Sequence, residues 1–224
     1  MLDFNDFDWG ETPESSANLM LQESLDGIYE RIFPVEEGDV VVDIGAFVGD
    51  FTYSILHKNP EHCWAMEPVE SHFKTMYKNL KNHQVSFIRG GLAEKPIIEV
   101  IWAGSKSDAP GINFKQFIKD NCIERIDFLK TDSEGAEYLI FSDENFDYIK
   151  NNVKKIVGEF HLKTNHYSAL DNLTERFRNF RDNFLVKFDK YEVRSVDNIN
   201  IKWDLFNEHF LEYYNEVIIH IDNR

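Results

Sequence analysis

Short apolar runs recur at "DVVVDI" (39–44), "HCWAM" (62–66), "VSFI" (85–88), "IDFLKT" (126–131) and "VKKIVGEF" (153–160). Between most of them the apolar positions take helical spacing, over 48–58, 70–81, 113–122, 135–150 and 168–183. Strands alternating with helices of this length predict βαβ units and an α/β fold with a doubly wound, mostly parallel sheet. Unbroken runs such as "VVVDI" suit strands covered on both faces. Two further runs, 184–189 and 216–221, are joined by a long segment and predict a closing strand pair. "PIIEVIWAG" (96–104) follows the third run with no helix between, which predicts an extra hairpin strand. Residues 17–36 read as an amphipathic lead-in helix. Residues 1–16, acidic and poor in aliphatics, read as a flexible arm ahead of one domain over 17–224. In 203–214, Leu205, Phe206, Phe210, Tyr213 and Tyr214 fall near one face of a helix, as core or as the surface of a lid or homodimer.

The stretch with the most chemistry is "VVVDIGAFVGDFT" (40–52). A strand ends at Asp43, Gly45 and Gly49 follow, and a helix begins. Such a turn at the edge of a parallel sheet faces the ligand crevice, and glycine permits both a tight turn and a close ligand. A dinucleotide turn carries G-x-G-x-x-G to seat a pyrophosphate. Here the pattern is D-x-G-x-x-x-G, with no middle glycine and an acid ahead of the first. That acid suits a cationic ligand with an amino-acid portion, as in S-adenosylmethionine. Glu67, closing the second strand in "WAMEP", lies where a carboxylate accepts both ribose hydroxyls of a nucleoside. The competing reading is that Asp43 and Glu67 only cap neighbouring helices.

With this turn, "MEP" and "IDFLKTDSEGAE", the sequence resembles the FkbM family of S-adenosylmethionine-dependent methyltransferases over about residues 36–162. Its specific part is Lys130-x-Asp132-x-Glu134-Gly135-x-Glu137. The resemblance implies a seven-stranded Rossmann-like sheet with a reversed C-terminal hairpin, and O-methylation of a small-molecule or glycan acceptor. It also implies a cofactor turn of Asp43, Gly45, Phe47, Gly49 and Thr52, with Glu67 and Pro68 at the ribose, Gly91 and Leu92 beside the adenine, and Asp132 nearby. The lead-in at 17–36 and the aromatic segment 191–215 depart from the simplest family pattern. They are expected to shape the acceptor pocket, the latter as a lid.

Ligands of such sheets bind beyond the carboxyl ends of the strands, so Asp132 and Glu134 would emerge beside the transferred methyl group. Asp132, then Glu134, are candidates to orient the acceptor or take its proton. His161, ending the fifth run, is a candidate base because imidazole titrates near neutrality. Lys130 is a candidate to lower the pKa of a carboxylate or of the acceptor. The plainer readings are that Glu137 answers a helix macrodipole and that Lys130 pairs with an acid. Two carboxylates near a histidine could also hold a divalent metal, but the Asp132–Glu134 spacing is not diagnostic and no metal ligand is assigned.

Composition narrows the partners. A net charge of -16 repels nucleic-acid phosphates and anionic lipid. A mean hydropathy of -0.44 and the acidic N-terminal stretch predict a cytoplasmic protein without membrane span or secretory signal. Cys63 and Cys122 form no framework, and Cys63 reads as a buried thiol. A nucleotide-dependent oxidoreductase and a non-catalytic module on the same sheet are the alternative functions.

Overall fold

Pairing of the strands brings their carboxyl ends to one edge. The computed structural model describes residues 4–102, 105–207 and 209–224. Its strands are β1 (Val40–Ile44), β2 (His62–Glu67), β3 (Val85–Arg89), β4 (Gly91–Leu92), β5 (Ile97–Trp102), β6 (Ser105–Ile112), β7 (Ile126–Thr131), β8 (Val153–His161), β9 (Lys190–Arg194) and β10 (Glu216–Asp222). Seven form one sheet in the order β3-β2-β1-β7-β8-β10-β9. The first five are parallel, and β10 runs antiparallel to both β8 and β9. The reversed closing hairpin is therefore present. Every residue of β1 and β7 is buried, as their unbroken apolar runs require. Strands β4, β6 and β5 form a second, three-stranded sheet, so the extra strand at 96–104 gains a partner in 105–112.

The helices are α1 (Glu14–Asp26), α2 (Asp50–Ile55), α3 (Glu70–Leu80), α4 (Phe114–Asp120), α5 (Asp143–Asn152), α6 (Leu173–Asn183) and α7 (Phe210–Tyr213). Several differ from the sequence reading. The lead-in helix stops at Gly27, whose left-handed backbone (φ 59°) lets its N–H bond back to Glu23 and Ser24 carbonyls. The helix expected over 135–150 divides into a 3-10 turn at 137–139 and α5, because Ser142 is extended (ψ 160°). Residues 184–189 are not a strand: Leu185–Lys187 form a 3-10 turn, and the strand comes later, as β9. Phe184, Leu185 and Phe188 are buried while Val186 is exposed, a helical rather than an alternating pattern.

The helix expected over 203–214 shortens to a 3-10 turn at 202–204 and α7. Its aromatic stripe divides, with Leu205 and Phe210 in the core and Phe206 and Tyr213 exposed. The stretch expected as a flexible arm is packed from residue 4 onward. Phe4 stacks on Trp9, Phe7 meets both edge-on, Phe4 and Phe7 also meet Tyr53, and Asp8 accepts from Lys78 at 2.6 Å. Residues 1–3, 103, 104 and 208 of these expectations lie outside the described residues. Among the described residues no helix is long and apolar enough to cross a membrane.

Candidate active site

The turn after β1 is fixed by its neighbours. The N–H groups of Gly45 and Ala46 both donate to the Met66 carbonyl, at 3.0 and 2.9 Å. Phe47 N–H donates to Glu67 Oε2 at 2.9 Å, and Gly49 N–H to the Ala46 carbonyl at 2.7 Å. These donors are committed, so the turn is no cradle for a pyrophosphate, which counts against a dinucleotide. Gly45 (φ 76°) is required by the adjoining chain. A Cβ there would stand 1.6 Å from the Asp132 carbonyl oxygen, so the exits of β1 and β7 pass too closely for any side chain. Gly49 likewise abuts Leu80 and Met76 of α3.

Asp43 lines neither of the two cavities beside the turn. Register sets it beside Lys130 across β1 and β7, and it has no exposed surface. Its carboxylate accepts from Thr52 Oγ1 at 2.8 Å and pairs with Lys130 Nζ at 3.1 Å. Lys130 Nζ also donates to the Gly45 carbonyl at 2.7 Å. Burial pulls the lysine pKa down, but Asp43, Asp132 and Asp50 outweigh it, and the ammonium is held above its ordinary range. Asp43, Thr52 and Lys130 thus form an internal brace under the turn, and Asp43, expected at the cofactor, is turned inward.

Above the turn opens a cavity of about 430 Å³. Glu67, nearly buried, stands in its wall and accepts from the N–H groups of Phe47 and Val69 at 2.9 and 2.8 Å. Phe47, Pro68, Gly91 and Leu92 also line it, as does apolar hairpin surface from Ile97, Ile98 and Ile101. Phe47 holds a positive φ of 50° and sets its ring 4.3 Å from that of His72. Asp132, Ser133 and Glu134 form the far wall, with Tyr167, Ala169 and Leu170 over them. The loop carrying these last three is tied down where Ala169 N–H donates to the Glu134 carbonyl at 2.7 Å. No described residue of 191–215 lines this cavity, and the wall expected from that segment is supplied by Tyr167, Ala169, Leu170 and β5. A smaller cavity of about 80 Å³ lies under α1, and Asp132, Gly45, Phe47 and Met20 border both.

Beyond β7 the acidic motif divides by role. Glu137 is fully buried, and its Oε1 accepts from Ser133 N–H at 2.7 Å and Gly135 N–H at 3.2 Å, folding the loop back on itself. Burial works to raise its pKa, but the adjacent His161 and the backbone donors outweigh that and hold the carboxyl below its ordinary range. His161 Nδ1 lies 3.3 Å from Glu137, and Nε2 lies 3.5 Å from Glu134 and 3.7 Å from Glu159. Burial disfavours its charge, yet Glu137 first and then Asp132 and Glu134 more than offset this and raise its pKa to about 11. The surrounding carboxylates favour the imidazolium, which has no free lone pair, and this counts against His161 as the base. The triads Asp132–Glu137–His161 and Glu159–His161–Glu216 have the spacing of metal ligands, but both need His161 deprotonated. Burial and then Asp132 push the Glu159 carboxyl well above its usual range.

Spacing alone did not point to the lead-in residues at the site. Tyr29 Oη donates to Asp132 Oδ2 at 2.9 Å, and Ser24 Oγ donates to Asp50 Oδ2 at 2.9 Å. Glu23, with Ser24, lines the smaller cavity; burial first, then Asp132 and Asp50, raises its carboxyl to about 6.

Comparison with known proteins bears on this geometry. The family model for the methyltransferase FkbM domain matches residues 43–184. A comparison with curated proteins gave no match. Among solved structures, a Streptococcus mutans protein described as a methyltransferase, in complex with S-adenosylhomocysteine, superposes with a TM-score of 0.50 at 10% identity, covering 95% of this chain and 98% of that one. Aeropyrum pernix fibrillarin, with natively bound S-adenosyl-L-methionine, gives 0.49 at 12% identity over 90% and 73%. A precorrin-6y C5,15-methyltransferase from Geobacter metallireducens gives 0.46 at 16% over 94% and 88%. The family match spans well over half of the chain, and the chain belongs to the FkbM family of S-adenosylmethionine-dependent methyltransferases.

Proposed function

We propose that this enzyme methylates a hydroxyl oxygen of a small molecule or glycan sugar. In this reading the cofactor's nucleoside occupies the larger cavity and its amino-acid end lies toward Asp132. The observation that carries the reading is the meeting of Glu67, Asp132 and Glu134 at one cavity beyond the strand ends.

The residues present fit S-adenosylmethionine. After accepting from Phe47, Glu67 Oε2 keeps a lone pair for a ribose hydroxyl, while Oε1 accepts from Val69 and also faces His72 Nδ1 at 3.5 Å. Leu92, Ile98 and Ile101 offer apolar walls to a flat base, with Pro68 and Gly91 at its edge. A volume of about 430 Å³ lies in the range of cofactor sites, roughly 300–1,000 Å³. The cofactor supplies a methyl group made electrophilic by its sulfonium.

The chain's own residues do the rest. Asp132 orients what lies between the two cavities. Glu134 is the acceptor-side carboxylate, half exposed where it lines the cavity. Burial raises its pKa against the pull of His161, which suits it to receive the hydroxyl proton. His161, as a cation, holds Glu134 in place and takes no proton itself. Positioning supplies much of the rate, and the base adds about 10²–10⁴-fold. A net charge of -16 disfavours a nucleic-acid acceptor.

The test is incubation with isotopically methyl-labelled cofactor and a panel of hydroxylated sugars and phenols, with amines in parallel. Product methyl resonances are expected in the O-methyl region. Label appearing only on nitrogen or carbon would overturn the proposal.

A further inference from the structure

The FkbM match begins at residue 43, yet a residue fourteen positions earlier reaches the centre of the site. Tyr29 follows the left-handed Gly27 that ends α1, and its 3-10 turn directs the phenol across the β1 turn. The ring stands edge-on to Phe51 with centroids 5.6 Å apart, and Lys130 Nζ lies 5.2 Å from its centre. The hydroxyl donates to Asp132 Oδ2 at 2.9 Å. Asp132 follows β7 and is anchored through its own N–H to the Ile44 carbonyl at 2.9 Å. Asp132 is thus anchored through its backbone and through Oδ2, at the border of the two cavities, where Oδ1 would meet a ligand.

We propose that Tyr29 is a positioning residue of the methyltransferase site, fixing the Asp132 carboxylate so that its free oxygen receives the ammonium at the amino-acid end of the cofactor. This rests on the placement of the cofactor proposed above. Burial, then the charges of Asp132 and Glu159, keep the phenol protonated well above its ordinary range, so it remains a donor at any working pH. The lead-in is then part of the cofactor site, and the FkbM-matched segment alone lacks one of its fixed groups.

The test is a double-mutant cycle read by calorimetric titration with S-adenosylhomocysteine, which carries the same amino-acid end. Tyr29→Phe keeps the ring on Phe51 and Lys130 and removes only the donor. It is expected to weaken binding about three- to tenfold, and Asp132→Asn roughly ten- to hundredfold. In the Asp132→Asn background Tyr29→Phe should cost less than in the wild type, because its effect passes through the charge of that carboxylate. Equal losses in both backgrounds would make Tyr29 merely structural and overturn the inference, as would an unchanged affinity in Tyr29→Phe. An Asp132→Asn variant that binds like the wild type would instead remove the cofactor placement.

A second readout does not depend on folding of Tyr29→Phe. Asp132 is among the groups that raise the Tyr29 pKa, so tyrosinate absorbance should show one late-titrating phenol moving toward about 10 in Asp132→Asn. An unmoved phenol would contradict the proposed link.

Discussion

His161 illustrates how a single side chain changes meaning once its neighbours are known. At a strand end in a crevice it reads as a base, but Glu137, Glu134 and Glu159 surround it and fix its charge. Its nitrogen resonances should therefore show a doubly protonated ring at about pH 8, and titration near 6.5 would contradict this. A pKa raised from 6.5 to about 11 on folding stabilises the protein fully below 6.5, and that contribution is lost as pH climbs toward 11. The placement of Glu67 and Asp132 at the cavity was legible in the sequence because strand ends fix where a side chain emerges. Asp43 was legible as a residue of the turn but not in its role, since the facing Lys130 appears only when β1 and β7 pair. Tyr29 was not legible at all, because its contact spans 103 positions and no spacing rule reaches that far.

At the scale of elements, the central strands were readable because burial on both faces leaves unbroken apolar runs. The segment 184–189 misled because a short apolar run fits a strand and a helical turn equally well. The two readings differ in one measurable respect. In a strand Val186 would share a face with Phe184 and Phe188; in the observed turn it is 48% exposed and Phe188 is 3% exposed. Urea unfolding should therefore find Val186→Lys within about 0.5 kcal/mol of wild type and Phe188→Ala destabilised by roughly 3–5 kcal/mol. Comparable losses at both positions would restore the strand. The helices were read with less accurate ends, because Gly27 and the extended Ser142 interrupt patterns that hydrophobic spacing would continue.

Across the whole molecule, the parallel order brings Glu67, the β1 turn, Asp132 and His161 to one edge from four separate strands. The three-stranded β4-β6-β5 sheet and the 167–170 loop enclose the space above them. The N–H groups of Gly45, Ala46 and Phe47 are committed to β2, and the carboxylates of Glu67, Asp132 and Glu134 line the cavity above them. The most direct test of this account is calorimetric titration of the wild type and Glu67→Gln with S-adenosylhomocysteine, with NADH as competitor. The account predicts micromolar binding by the wild type, at least about tenfold weaker binding by the variant and no competition from NADH. A folded wild type that ignores S-adenosylhomocysteine, or a Glu67→Gln variant that binds it equally well, would contradict the placement of the cofactor.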